Sequence, residues 1–347
     1  MQRRNFILTT AIALPAFACS SLKKFEVPST KGYVVKSGAS RFGVPTPFRG
    51  VNPNDLKISA RDTGGLLSAF EYTGVEKTGP ALHRHLYQDE IFYVLEGAYL
   101  FQVGQEKQIL GAGDVIFLPR NIPHTWVQMS DSGKLFYFLQ PAGKMEEFFL
   151  KMNALGSKAT AEERDKIHVE CGIETVGPGI SATDQTPPSL SLSNGFITKS
   201  GKGRFGETTK INGANSNDIK ISGQDTGDAL SIFEYTGKEK GGPPLHVHPH
   251  QDEVFYVMQG EYLFQLGQDK HRLKSGDMIF LPRGIPHAFA QLTDLGKMLF
   301  FFQPSGKMED FFRALGKIQG PPAPEQGAKL FEDHDMKIVG PPLQYGE

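Results

Sequence analysis

The chain has 347 residues, of which 39% are hydrophobic, and its 37 basic and 38 acidic side chains leave a net charge of −1. That length admits two ordinary domains, and the balanced charge gives no electrostatic case for nucleic acid or an anionic membrane surface as partner. The composition is that of a globular protein, neither disordered nor spanning a membrane many times. Phe is unusually common (26, against one Trp), and 39 Gly with 23 Pro suit short strands broken by many turns.

The chain opens MQRRNFILTTAIALPAFACSS. Arg3 and Arg4 precede an apolar run over residues 6–18, too short to cross a bilayer and the right length for a signal-peptide core. The QRRNFI segment resembles the twin-arginine export signal of bacteria. Ala16, Phe17 and Ala18 offer a cleavage site, and Cys19, which follows at once, offers a point for a lipid anchor. Residues 1–19 are therefore expected to be a signal peptide. The mature protein is then exported, to the periplasm or to a lipid-anchored place on the membrane. Cys171 is left without a partner in the mature chain, so no disulfide supports the fold.

After the leader the chain repeats itself. KGYVVKSGASRFG from Lys31 matches NGFITKSGKGRFG from Asn194, and QPAGKMEEFF from Gln140 matches QPSGKMEDFF from Gln303. Each pair lies 163 positions apart, a period far too long for a solenoid, so a whole folding unit is duplicated. The units are read as 28–180 and 194–347, joined by a polar, Pro-containing linker over 181–193. Within each unit, short apolar runs alternate with Gly, Asp, Glu and Pro, which predicts antiparallel strands in a sandwich or barrel. Helices are expected at GKMEEFFLKMNALG from Gly143 and GKMEDFFRALGK from Gly306. Phe148, Phe149 and Met152 share one face of the first.

The chemistry sits in GPALHRHLYQDEIFYVLEG from Gly79 and GPPLHVHPHQDEVFYVMQG from Gly242. Residues two apart on a strand point to the same side, so His83 and His85, and likewise His246 and His248, can project together into a barrel. A turn then brings Glu90 or Glu253 in from the next strand. Further on, His124 and His287 complete two sets of three imidazoles and one carboxylate. Six of the ten histidines in the chain lie in these two sets. Lone buried histidines usually satisfy a local hydrogen bond; two matching sets argue for ligands. With a divalent ion the donors give a net charge near +1, and the mixed N/O set suits Fe, Mn, Co, Ni or Zn, one per unit. Alternation also turns Phe92, Val94, Trp126 and Gln128 inward in the first unit, and Phe255, Val257, Phe289 and Gln291 in the second. These line an apolar pocket suited to a flat organic substrate.

Both units resemble the cupin superfamily, whose two motifs fit from His83 to Gly97 and His246 to Gly260, then from Gly113 to His124 and Gly276 to His287. Asn121 replaces a motif glycine, a change Asn tolerates because it accepts positive φ. Gln128 and Gln291 stand where the motif often has Asn. The resemblance implies an all-β fold of two tandem jelly-roll (double-stranded β-helix) barrels with short C-terminal helices. It also implies that the six histidines and two glutamates bind metal. The opening [YF]-x-x-K-S-G-x-x-R-F-G and closing G-K-M-E-[ED]-F-F segments are similar to the bacterial quercetin 2,3-dioxygenase group. On that resemblance the chain is a dioxygenase using O2 on a flavonol-like or other enolisable aromatic, with Glu90 or Glu253 as general base. Other cupin chemistry (decarboxylase, isomerase) or a non-enzymatic metal- or ligand-binding role is the alternative. A decarboxylase of small dianions needs a cationic handle and a lid acid, and the sequence reveals neither. Two barrels in one chain leave a monomer or a homodimer.

Overall fold

The computed structural model describes residues 31–344 apart from 157, 185–187, 190, 212 and 319; the leader and Cys19 lie outside the described residues. All strand pairings are antiparallel, in four sheets. In the first half, one sheet runs in the spatial order Phe196–Thr198, Val115–Leu118, Asp89–Glu96, Gly133–Gln140, Ser68–Gly74, Asn54–Ile58. The facing sheet runs Ile173–Gly177, Leu82–His85, His124–Gln128, Ala98–Val103, Glu106–Gly111. The second half repeats this arrangement with a seven-stranded and a five-stranded sheet. Each half is thus a jelly-roll barrel, the expected all-β class.

Strands Asp89–Glu96 and Gly133–Gln140 read as nearly unbroken apolar runs because both of their faces are buried. Phe92 and Val94 point into the barrel, among Phe101, Trp126 and Tyr137. Ile91 and Tyr93, on the other face, join Phe136 and Phe138 in a core shared with Val254, Tyr256, Leu299 and Phe301 of the second half. Phe138 meets Phe301 edge-on at 5.0 Å, and Phe136 lies 4.9 Å from Tyr256. The two barrels are therefore fused back to back through their larger sheets.

The opening segment of each half crosses to the other. Tyr33–Val35 pairs with Met278–Leu281 of the second barrel, and Phe196–Thr198 pairs with Val115–Leu118 of the first. Each crossing is pinned by the same ion pair, Lys36 to Asp277 and Lys199 to Asp114, both at 2.9 Å. In space, therefore, each half completes the sheet of its neighbour. That covers a strand edge that would otherwise be open to association.

The two predicted helices are present as Met145–Leu155 and Met308–Leu315. Phe149 packs on Phe70 at 4.9 Å and Phe312 on Phe233 at 5.0 Å, so each helix lies on its own barrel. Three more helices among the described residues, Ala161–Cys171, Pro324–Asp333 and the single-turn Gly223–Thr226, were not among the sequence expectations. The first carried a legible start signal. Thr160 caps the Glu163 amide while Glu163 returns a carboxylate to the Thr160 amide. Its face is polar, however, so periodicity gave no sign of it.

Candidate metal centres

His83 lies directly opposite His124 across neighbouring strands, as His246 lies opposite His287. His85 shares the strand of His83, and Glu90 enters from Asp89–Glu96 after a short turn. The ligand atoms of His83, His85, Glu90 and His124 all lie within 4.8 Å of one another, and so do those of His246, His248, Glu253 and His287. Asn121 precedes its histidine with φ at 67°, and its counterpart Gly284 has φ at 78°, so the same left-handed turn presents both.

Local hydrogen bonds aim the rings. The Nδ1–H groups of His83 and His124 donate to the carbonyls of Ala81 and Ile122 at 2.8 and 2.9 Å. Those of His246 and His287 donate to Pro244 and Ile285, both at 2.9 Å. Each bond fixes the tautomer that leaves an Nε2 lone pair facing the centre. Glu90 Oε2 lies 3.1 Å from His124 Nε2, and Glu253 Oε2 lies 2.9 Å from His287 Nε2, so carboxylate and ring nitrogen face the same point.

The residues fit a cation. Both ring nitrogens of His85 are buried with no hydrogen-bond partner among the described residues, a costly state for a polar ring. In the second half, the Nε2 atoms of His246 and His248 lie 3.1 Å apart beside a carboxylate. An ion shared by the four donors would take up the His85 Nε2, which lies 3.4 Å from Glu90, and would relieve the close approach of His246 and His248. Burial, then the neighbouring imidazoles, pushes His83 and His246 well below the usual imidazole value, so both stay neutral near pH 7. Burial alone would raise Glu90 and Glu253. The histidine nitrogens crowded around each carboxylate outweigh it and hold both well below the usual carboxylate range. The result is a pair of centres with ionised carboxylates and with His83 and His246 neutral, suited to a metal.

The two centres differ in what covers them. A cavity of about 850 Å³ opens onto His83, His85 and Glu90. Phe92 and Trp126 line it, joined by Tyr72, Tyr137, Phe148 and Phe149. The Tyr137 hydroxyl donates to Asn54 at 2.7 Å. In the second half the Phe331 ring lies 5.4 Å from that of His246, and Phe302 lies 5.3 Å from His248. His246 is buried, whereas its counterpart His83 is only partly so.

Not every inward residue reaches a centre. Gln128 is fully buried but is not a lining residue of the cavity. Its amide donates to the carbonyls of Gly74 and Ser130 at 3.3 and 3.0 Å, and its oxygen faces the Tyr99 hydroxyl at 3.4 Å. Four residues along a strand from His124 amounts to about 13 Å, so a shared face does not mean a shared site. Gln291 makes the same bonds to Gly237 and Thr293. Phe255 and Phe289 pack on each other at 5.3 Å within the second barrel's core. Conversely, sequence reasoning missed Arg49, Arg164, Asp165 and His168 on the first cavity's wall. Three of these ride on the unforeseen Ala161–Cys171 helix.

Comparison with known proteins follows the same division. The cupin domain profile matches residues 72–139 and 233–302, one stretch in each half. Quercetin 2,3-dioxygenase of Bacillus subtilis is 29% identical over 98 residues, 28% of this chain and 29% of that protein. The match thus spans under a third of the length of that curated relative. The solved structure of oxalate decarboxylase from B. subtilis superposes with a TM-score of 0.53 at 13% identity, covering 80% of this chain and 77% of that one. Ylba from E. coli gives 0.53 at 10% identity, covering 81% and 94%. At such identities the structural likeness speaks for the fold alone.

Proposed function

Since the chain is a bicupin, with a cupin domain in each half, we propose that it is a metal-dependent dioxygenase acting on a flavonol-like or other enolisable aromatic, with the first half as its reaction site. The observation that carries this reading is the aromatic-walled cavity of about 850 Å³ over His83, His85 and Glu90. That volume falls within the range of about 300–1,000 Å³ usual for enclosed small-molecule sites. Trp126, Phe92 and Phe149 line it with aromatic rings, a surrounding that suits a flat ring system. The partial likeness to a quercetin dioxygenase supports the same substrate class.

His83, His85, Glu90 and His124 would hold the metal, with His246, His248, Glu253 and His287 holding a second. A divalent ion there would supply a Lewis-acidic point for a substrate oxygen. Its identity within Fe, Mn, Co, Ni and Zn is open to assay; the B. subtilis oxalate decarboxylase has Mn(II) centres. Glu90, held ionised, accepts the proton of the substrate hydroxyl and leaves an electron-rich enolate for attack on O2.

A decarboxylase reading gains one observation, since Arg49 and Arg164 supply cationic groups on the cavity wall. A cavity this large and this aromatic favours a flat organic molecule over a small dianion. An oxygen electrode with flavonols decides the matter. Wild type and Glu253→Gln should consume O2, whereas Glu90→Gln should lose about a hundredfold or more in turnover while keeping most of its metal. Turnover that continues without O2 would replace the dioxygenase reading with a decarboxylase or isomerase. Metal binding without turnover of any such substrate would make the chain a binding protein.

A further inference from the structure

Helices Ala161–Cys171 and Pro324–Asp333 occupy equivalent places in the repeat, yet they treat the centres beneath them differently. In the second half Phe331 packs edge-on to Phe311 at 5.1 Å and covers the His246 ring. The residue 163 positions earlier is His168. It keeps the equivalent neighbour, Phe148, at 5.1 Å, and lines the open cavity. The exchange of Phe for His at this one position turns an apolar cover into a polar group on a cavity wall.

The polar group has a defined sense. His168 Nδ1–H donates to the Arg164 carbonyl at 2.8 Å, which makes Nε2 the acceptor of the neutral ring. Edge contact with Phe148 holds the ring in place. The metal ligands come from barrel strands, whereas His168 comes from the helix that follows the barrel, so the two approach a bound molecule from different walls. Apolar walls discriminate poorly between an aromatic and its hydroxylated derivative; a fixed acceptor does so well.

We infer that His168 is a specificity-determining residue of the first site, accepting a hydrogen bond from a peripheral hydroxyl of the aromatic substrate, so that the site selects a polyhydroxylated aromatic over its bare or O-methylated analogue. This rests on the reading of the first cavity as an aromatic-substrate site.

Trp126 is the chain's single tryptophan and lines the same cavity, so quenching of its fluorescence reports a ligand bound near it. The full-length Zn(II)-loaded protein is titrated under nitrogen with 3-hydroxyflavone, its 3′,4′-dihydroxy derivative and its 3′,4′-dimethoxy derivative. Wild type should bind the dihydroxy compound about five- to tenfold more tightly than the other two, the worth of one neutral hydrogen bond. His168→Ala should erase that preference and leave metal content and the 3-hydroxyflavone affinity unchanged. His168→Gln, whose side-chain oxygen can accept the same bond, should restore most of it. A preference that survives His168→Ala overturns the inference, as does equal weakening of all three ligands or failure of Gln to rescue. If 3-hydroxyflavone and the dihydroxy compound both leave Trp126 unquenched in wild type, the aromatic-site reading falls, and the inference with it.

Discussion

The Tyr256 hydroxyl donates to the Glu71 carboxylate at 2.5 Å, across the boundary between two halves whose residues lie 185 positions apart. Tyr93 donates to Glu234 in the mirror-image bond. The fully buried Lys57 stands 3.7 Å from Glu71, and Lys220 stands 3.9 Å from Glu234. A carboxylate so deeply buried is tolerable only with such partners. Tyr256→Phe or Tyr93→Phe, each removing one donor and leaving the carboxylate short of a bond, should each cost about 1–3 kcal/mol. Urea unfolding measures this; a change within about 0.5 kcal/mol for both would show that the bridge contributes nothing.

The same tyrosines set the alkaline limit of the fold. Burial, then the facing carboxylate, raises Tyr93 and Tyr256 far above the usual phenol value, and burial pushes Tyr235 up to about 12. An unfolded tyrosine ionises near pH 10, so the stability these groups contribute is complete below that and is lost as pH rises further. Lys57 and Lys220, lowered mainly by burial, act in the opposite direction, but tyrosines outnumber them. The melting temperature should therefore fall steeply above about pH 10. Tyr93→Phe/Tyr256→Phe together should flatten that fall.

Metal stoichiometry should follow the geometry. Purified protein is expected to hold one transition metal per four-donor set, two per chain. His85→Ala should remove the first and spare the second, and His248→Ala the reverse, by elemental analysis after gel filtration. Retention of both ions in either variant would show that the histidine is not a ligand.

Gln128 separates barrel architecture from site chemistry. Its three partners are the carbonyls of Gly74 and Ser130 and the Tyr99 hydroxyl. Gln128→Ala should lower stability by about 1–3 kcal/mol by stranding them, with metal content and flavonol affinity unchanged. Loss of ligand binding at full stability would return Gln128 to the pocket wall.

The crossed strands predict coupling between the halves. Removing residues 1–38 strips Tyr33–Val35 from Met278–Leu281 and breaks the Lys36–Asp277 pair. Amide exchange at 278–281 should quicken, and the uncovered edge should promote association. Unchanged protection there would mean that the second barrel stands without its donated strand.

Much of the candidate site was legible because it is local. His83 and His85 share a strand, Glu90 follows one short turn later, and His124 sits in a second motif with its own turn at Asn121. Strand periodicity and duplication carry that information in adjacent residues. Gln128 misled because alternation reports which face a side chain occupies and not how far along the barrel it lies. The Ala161–Cys171 helix was missed because its surface is polar, so hydrophobic spacing was silent and only the Thr160–Glu163 capping pair marked it.

The sequence by itself determined the repeat, the barrel strands and both four-donor sets, since each is written in spacings of a few residues or in a constant offset. Tertiary structure alone decided that each half lends the other a strand, that Tyr256 meets Glu71, and that Phe331 covers one centre while His168 borders an open cavity over the other. The physical reason is range. Backbone periodicity is set by neighbours along the chain, whereas access to a buried centre depends on which side chain, scores of residues away, packs over it.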